Sequence, residues 1–420
     1  MLRAWFFERE WSRCLRVAVF TGLGIVLWKY NSKAVQDVII WSVFLYALAR
    51  RPKGCGVWRN AAGFGFIAVF LYTLVTVPFS VDPGASGRDF VKLAEIAAFA
   101  FALPVILDDE RKVAGALLYT GIALTLIFAF DLVRLIICVP RDFFLKAHEY
   151  EPFVMGHSPN IAAVASGAAF IILFGASLGM RGRRPAQAGC AAGMLVNLAY
   201  LVVIASRGAQ LALAVTAAVA GLLLVRRGGI KRAALLGLLV AVVALIVCLN
   251  PRFRDAVSMR GFSDRDKVWS HTWRLAREHP VLGYGYGRRV FKEVYHGSNP
   301  PAARFHFDHP HQYWLNVLFA NGWAGVALHA AAWGLLAARL LRHTFGQLKT
   351  WAERVLPITI ILLLVFLHAF GMGDYPGSVA RMMMVWLIPP ALTVTANPST
   401  PTPLHPGEGG RPGPVRSGGC

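Results

Sequence analysis

Residues 251–311 read PRFRDAVSMRGFSDRDKVWSHTWRLAREHPVLGYGYGRRVFKEVYHGSNPPAARFHFDHPH. The stretch is mostly polar and sits between long apolar segments. It holds eleven of the 43 Lys and Arg residues and six of the 12 His residues of the chain. It closes as His309-Pro310-His311 and runs directly into another apolar segment. A hydrophilic, histidine-rich loop clamped by membrane spans is where a membrane protein places chemistry. The surrounding sequence says how that loop is held.

Composition sets the class. Of 420 residues, 56% are hydrophobic and 15% charged, with a mean hydropathy of +0.52, which is too apolar for a soluble domain. A membrane span needs ~20 mainly apolar residues. Twelve segments qualify: 16–30, 34–49, 61–79, 90–107, 113–137, 158–180, 186–205, 209–225, 233–250, 312–338, 355–371 and 379–395. The shorter ones, such as 34–49, are tilted or partly interfacial. The expectation is an all-α integral membrane protein of about 12 transmembrane helices, with one large outer loop containing short helices. Its parts are an interfacial segment at 1–15, helices 1–9 over 16–250, the loop at 251–311, helices 10–12 over 312–395, and a disordered tail at 396–420. The start has no small-residue cleavage site of a signal peptide. Trp5, Phe6, Phe7 and Trp11 among Arg3, Arg9 and Arg13 read as an interfacial anchor. The tail is rich in Pro, Gly, Ser and Thr.

Orientation follows from the basic residues. One set of connections carries seventeen Lys and Arg, from Arg50 to Arg354; the short connections of the other set carry only Lys33, Arg88, Arg141, Lys146 and Arg207. The positive-inside rule makes the first set cytoplasmic, puts both termini inside and turns the 251–311 loop outward. The net charge of +21 is mainly this topology signal, supplemented by attraction to anionic membrane lipid. It calls for no nucleic acid.

Within the loop, Ser263-Asp264-Arg265-Asp266 has capping-box character and predicts a helix running to about His279. Trp269, Trp273 and Ala276 share one face of it, toward headgroup depth, and Arg265 lies on that face one turn earlier. A snorkelling arginine is the plain alternative. Pro280 to Gly287 alternates Gly and Tyr; Gly283 and Gly285 give a tight turn that stops the helix and packs it down. His306, Asp308, His309 and His311 have the side-chain types of a metal site but not its spacing, and Pro310 separates two of them, so no metal is expected. His311 opens a long apolar helix. Gly322 follows eleven residues later, within about 20° of whole turns, so the two share a face and the glycine lets another helix pack beneath the histidine. Arg207 lies at the outer membrane edge between two spans, with Leu211 one turn below it. An arginine there is expensive and calls for a partner or a function.

With these residues the chain resembles the O-antigen ligase and polymerase family of bacterial envelope glycosyltransferases. Arg207 with Leu211 is similar to the ligases' Arg, three residues, Leu pattern. Arg265 and Trp269, followed by Pro280, Gly283 and Gly285, resemble the family's Arg–Trp–Pro-x-x-Gly-x-Gly block. His311 with Gly322 resembles its His, ten residues, Gly pattern, and the layout of spans and loop is also similar. Gln312 departs from it, since many members have Asn after the histidine.

The resemblance implies a fold like that of the C-type membrane glycosyltransferases and an active site on the periplasmic face of the bacterial inner membrane. The implied reaction moves a polysaccharide from undecaprenyl diphosphate to a sugar hydroxyl of lipid A-core, without nucleotide sugar, metal or other cofactor. Arg207 and Arg265 would hold the donor diphosphate and His311 would take the acceptor proton, with inversion. Lys267, Arg288 and Arg289 would contact sugar phosphate, Asp374 would orient His311 or bind sugar, and His309 would support His311. Histidine suits the base role because imidazole exchanges protons near neutral pH. An O-antigen polymerase, a protein-glycosylating ligase of the same superfamily and a non-enzymatic lipid-linked-glycan flippase remain alternatives. A histidine at 311 and one large loop favour the ligase. A transporter places charge near mid-bilayer, where this chain has little beyond Asp131 and Arg134.

Overall fold

A computed structural model describes residues 40–45, 58–138, 159–180, 182–204, 206–225, 264–301, 307–347, 350–373 and 387–396. Among these residues there are helices and turns but no strands. The expected spans at 16–30 and 233–250, the 1–15 segment and the tail beyond Ala396 lie outside the described residues. In chain order the helices are α1 (Ala61–Thr76), α2 (Pro83–Ile106), α3 (Glu110–Cys138), α4 (Pro159–Gly179), α5 (Arg184–Ile204), α6 (Arg207–Val225), α7 (Arg265–Glu278), α8 (Arg288–Gly297), α9 (Tyr313–Arg342), α10 (Trp351–Gly373) and α11 (Ile388–Ala396). Six helices among the described residues are long and apolar enough to cross a membrane: α1 with its following turn, α3, α4, α5, α9 and α10. The chain is therefore a helical membrane protein.

Helix starts follow local chemistry. The Asn60 side chain accepts from the Ala62 and Gly63 N–H groups at 3.1 Å, and Asp82 accepts from the Ala85 N–H at 2.8 Å. The centre of the bundle is α4, whose residues from Ala162 to Leu173 are all buried. Small residues let its neighbours come close. A Cβ on Gly167 would lie 2.2 Å from the Phe366 ring of α10. Polar groups inside the bundle are matched: Asn197 Nδ2 donates to Thr125 Oγ1 at 2.7 Å, and Ser166 Oγ donates to the Asn197 carbonyl at 3.0 Å.

The decisive departure from regular geometry is in α9. Gly322 has φ 63° and ψ −169°, so the helix breaks there. Trp333 Nε1 donates to the Tyr313 hydroxyl at 2.9 Å. Twenty residues of straight helix would separate them by ~30 Å, so the chain doubles back at Gly322 and the limb before it lies along the limb after it. The break frees backbone groups, and the Pro280–Gly287 turn takes them. Tyr284 N–H donates to Phe319 O at 2.8 Å, Gly285 N–H to Ala320 O at 3.1 Å, and Trp323 N–H to Pro280 O at 2.7 Å. A Cβ on Gly322 would fall 2.1 Å from the Val281 carbonyl oxygen, and one on Gly283 2.5 Å from the Ala320 carbonyl carbon. Both glycines have positive φ. The Tyr72 hydroxyl of α1 lies 3.0 Å from Val281 O and 3.2 Å from Asn321 O, bracketing the joint from a third side.

This corrects the expected relation of His311 and Gly322. His311 lies ahead of α9, whose N-cap is Gln312, so the two do not share a helix face. What approaches Gly322 is the backbone of the Gly–Tyr turn rather than another helix. The turn does follow directly on α7, as expected. Helices α7 and α8 build a small core of their own from Val268, Leu275, Tyr284, Val290, Phe291, Tyr295 and Phe307, closed by Ala85 of α2 and Phe319 of α9. The face of α7 bearing Trp269 and Ala276 packs on Leu315 and Leu318 of α9, while Trp273 stays exposed. Ser263 lies outside the described residues, and Asp264, the N-cap, makes no side-chain cap bond.

Alanine at Gly322 or at Gly283 forces a side chain into backbone that cannot yield and imposes a left-handed conformation. Each substitution should destabilise the joint by about 2–4 kcal/mol. Thermal unfolding in detergent and hydrogen exchange at the Tyr284 and Gly285 amides check this; wild-type values for both substitutions would refute the joint.

Candidate functional site

Three elements meet at the last turn of α10. The first is the start of α6. Ser206 Oγ donates to Asn160 Oδ1 of α4 at 2.9 Å, and its carbonyl accepts from the Gln210 N–H at 3.1 Å, fixing the corner. Gly208 lies against the Phe370 ring, where a Cβ would be 3.3 Å away. Arg207 is thereby brought beside α10, where it is exposed. Leu211, one turn on, is 66% exposed on the apolar flank.

The second element is α7. Arg265 Nη1 donates to the carbonyl oxygen of Gly373, the terminal residue of α10, at 2.6 Å. Helix ends leave carbonyls without intrahelical partners and carry partial negative charge, so a cation is well placed there. The two arginines feel one another. The Arg207 guanidinium is pushed below its usual pKa first by partial desolvation and then by the positive charge of Arg265.

The third element is the strip leading into α9. Trp269 Nε1 donates to the Pro310 carbonyl at 2.9 Å, holding the residue before His311 against α7. His311 has φ 56°, one of two non-glycine residues in the left-handed region among those described. Its ring stacks on His309 at 3.9 Å between centroids and meets the edge of Phe307 at 5.5 Å. Gln312 caps α9 by accepting from the Leu315 N–H, and its Nε2 lies 3.9 Å from Met372 Sδ on α10. Glutamine thus performs the capping an asparagine would. His311 is consequently next to a residue that touches Met372, while Arg265 grips Gly373.

The structure therefore gathers Arg207, Arg265, Trp269, His309 and His311 around one helix end, with Gly283, Gly285 and Gly322 forming the joint that supports it. Other sequence candidates are placed differently. Lys267 pairs with Asp264 at 2.9 Å on its own helix. Arg288 forms an ion pair with Asp308, and Lys292 Nζ is 3.8 Å from the same carboxylate. These ties hold the His309–His311 strip to α8. Arg289 is exposed on α8. Asp374 and His306 lie outside the described residues. No group of three His, Cys, Asp or Glu arranged to hold a metal occurs among the described residues.

Sequence reading missed the supports supplied by the α1–α2 end. Ser80 Oγ donates to Tyr284 O at 3.0 Å, Ser86 Oγ accepts from the Tyr286 N–H at 3.1 Å, and Asp89 accepts from the Arg288 N–H at 3.0 Å. Their partners are about two hundred residues away, and no local motif marks them. Chemically, two guanidinium groups converging beside an imidazole suit a ligand with more than one oxyanion and a group that must lose a proton.

Residues 192–330 match the family model described as O-antigen ligase. A curated O-antigen ligase of Pseudomonas aeruginosa is 29% identical over 200 residues, which is 46% of this chain and 44% of that protein. The chain thus matches less than half the length of this relative. Together the two findings support a member of the O-antigen ligase family. The family-matched region includes Arg207, Arg265, His311 and Gly322, and stops short of α10.

Two guanidinium groups near one another offer charge-assisted hydrogen bonds to an anion placed between them. Inorganic diphosphate should raise the unfolding temperature of the purified protein, the gain should shrink as salt is raised, and it should vanish in Arg207→Ala and Arg265→Ala. An equal gain in both variants would remove the arginines from the anion site.

Proposed function

We propose that the chain is an O-antigen ligase. It transfers O-antigen polysaccharide from undecaprenyl diphosphate to a sugar hydroxyl of lipid A-core, at the periplasmic face of the inner membrane. The observation that carries this reading is the convergence of Arg207 and Arg265 at the Gly373 end of α10, beside the strip bearing His311. The 251–311 segment is then the outer loop, both termini are cytoplasmic, and membrane lipid surrounds the bundle.

In this reading the guanidinium groups hold the diphosphate by charge-assisted hydrogen bonds and stabilise the negative charge that grows on it. His311 accepts the proton of the attacking hydroxyl. The acceptor oxygen forms its bond to the anomeric carbon as the bond from that carbon to the diphosphate oxygen breaks. The electron pair leaves with undecaprenyl diphosphate, and the configuration inverts. No metal, nucleotide sugar or other cofactor is invoked. The arginines supply the charge stabilisation, and the left-handed backbone of His311, held through Pro310 and Gln312, presets the base. Asp374, next in sequence to Gly373, is proposed to orient His311 or bind sugar. His309 supports the imidazole by stacking. Arg288, Arg289 and Lys267 are proposed as outlying contacts to sugar phosphate.

The test is lipopolysaccharide banding in a ligase-null Gram-negative strain supplied with the cognate donor and core. Wild type should restore the ladder. His311→Ala should lower in vitro transfer by about 10²–10⁴-fold and Arg265→Ala by about 10²–10³-fold. Transfer by His311→Ala near the wild-type rate would end the base assignment. A wild type that lengthens lipid-linked glycan, glycosylates protein or only moves the donor across the membrane would replace ligation with polymerase, protein ligase or flippase.

A further inference from the structure

The ties that hold the strip bearing His311 are unequal. Some lie at the surface: Arg288, with its side chain 70% exposed, pairs with Asp308, and Gln312 Nε2 reaches Met372 Sδ across 3.9 Å. An exposed ion pair is screened and costs side-chain entropy to hold, and a thioether is a weak acceptor, so neither fixes a position well. On the N-terminal side of His311, the Trp269–Pro310 bond fixes the strip to α7. The tie on the C-terminal side lies inside the bundle. Tyr313, two residues after His311, is buried, and its hydroxyl accepts from Nε1 of Trp333, also buried, at 2.9 Å. A bond between buried groups meets no competition from water, and leaving either group unpaired there is costly.

Trp333 is itself clamped. Phe66 of α1 meets its indole edge to face at 4.9 Å between centroids, and His368 of α10 does so at 4.6 Å. A carbonyl only accepts, so His368 Nδ1–H donates to Leu364 O, at 2.9 Å, which fixes the imidazole along its own helix. The Tyr313 ring stands 6.1 Å from the same imidazole. His368 precedes Gly373 by five residues, about 7.5 Å along α10. The helix whose end takes the Arg265 hydrogen bond is therefore also the helix against which Trp333 is set. An indole has one N–H donor and no acceptor, so a single bond joins the start of α9 to this packed ring.

We propose that Trp333 is a positioning residue for glycosyl transfer: by bonding the Tyr313 hydroxyl it sets His311 relative to the two arginines at the end of α10. The role rests on the ligase reading and on His311 as the base. Trp333 acts through Tyr313 and the strip, and itself touches no reacting group.

The experiment uses the full chain in detergent, with transfer of lipid-linked O-polysaccharide to lipid A-core measured over a range of each substrate. Trp333→Phe removes the donor and keeps a ring between Phe66 and His368; Tyr313→Phe removes the acceptor. Each should lower kcat about ten- to a hundredfold with KM nearly unchanged. The double variant should be no slower than the slower single one, because both delete the same bond. In His311→Ala, adding Trp333→Phe should cost nothing more, since no imidazole is left to position. A kcat near wild type in Trp333→Phe overturns the role. So does a further tenfold loss in the His311→Ala background, which would make the bond a support of the fold alone. If Trp333→Phe fails to fold, Tyr313→Phe decides by the same two comparisons.

The bond is also read without transfer. In protein labelled with nitrogen-15 tryptophan, the Trp333 indole N–H resonance, identified by its loss in Trp333→Phe, should move in Tyr313→Phe; an unmoved resonance overturns the tie. Wild-type transfer with unaffected variants rejects the positioning role and keeps the ligase reading. A wild type that transfers nothing, with the indole resonance still moved by Tyr313→Phe, ends the ligase reading and the role with it while leaving the bond in place.

Discussion

Backbone meets backbone where the Pro280–Gly287 turn lies on the broken turn of α9, and the other parts of the site hang from that contact. Three main-chain hydrogen bonds cross it, and Gly283 and Gly322 are the residues that let the two chains close. In a membrane bundle, an interrupted helix leaves polar groups that lipid cannot satisfy, each worth several kcal/mol if left unmet. The turn meets that demand and, in doing so, sets α7 against α9. Arg265 and Trp269 inherit their positions from this docking. The two glycine motifs, distant in sequence and separately weak, are the halves of one joint.

Electrostatics adds a second layer. Bringing Arg207 and Arg265 together beside a helix end depends on the Gly373 carbonyl, which takes one guanidinium hydrogen bond. Partial desolvation and the positive charge of Arg265 both act on the Arg207 guanidinium. The His311 strip is tied by neutral and ionic contacts alike, through Pro310 to Trp269 and through Asp308 to Arg288. Its imidazole is therefore placed by the chain around it rather than by a helix.

Much of this was legible in the residues. Six of the spans expected from hydropathy coincide with helices long and apolar enough to cross a membrane, while those expected at 90–107 and 209–225 are helical but not among these six. Arg207, Arg265 and His311 stood out because charge and imidazole at the edge of apolar segments are expensive. The helix break was not legible. Asn321-Gly322 within an apolar run reads as ordinary helix, and an eleven-residue spacing reads as a shared face. Only the tertiary partner, the turn at 280–287, makes the left-handed glycine worthwhile. The seatings supplied by Ser80, Ser86 and Asp89 were hidden for the same reason, since pairing across two hundred residues leaves no periodic trace.

The doubling back of α9 also bears on how such a chain tolerates change in length. The limb from Tyr313 to Asn321 is a strut fixed at one end by the glycine joint and at the other by the Tyr313–Trp333 bond. One inserted residue would advance its end by about 1.5 Å and rotate it by ~100°, displacing His311 relative to the glycine joint. The ten-residue interval from His311 to Gly322 thus behaves as a ruler.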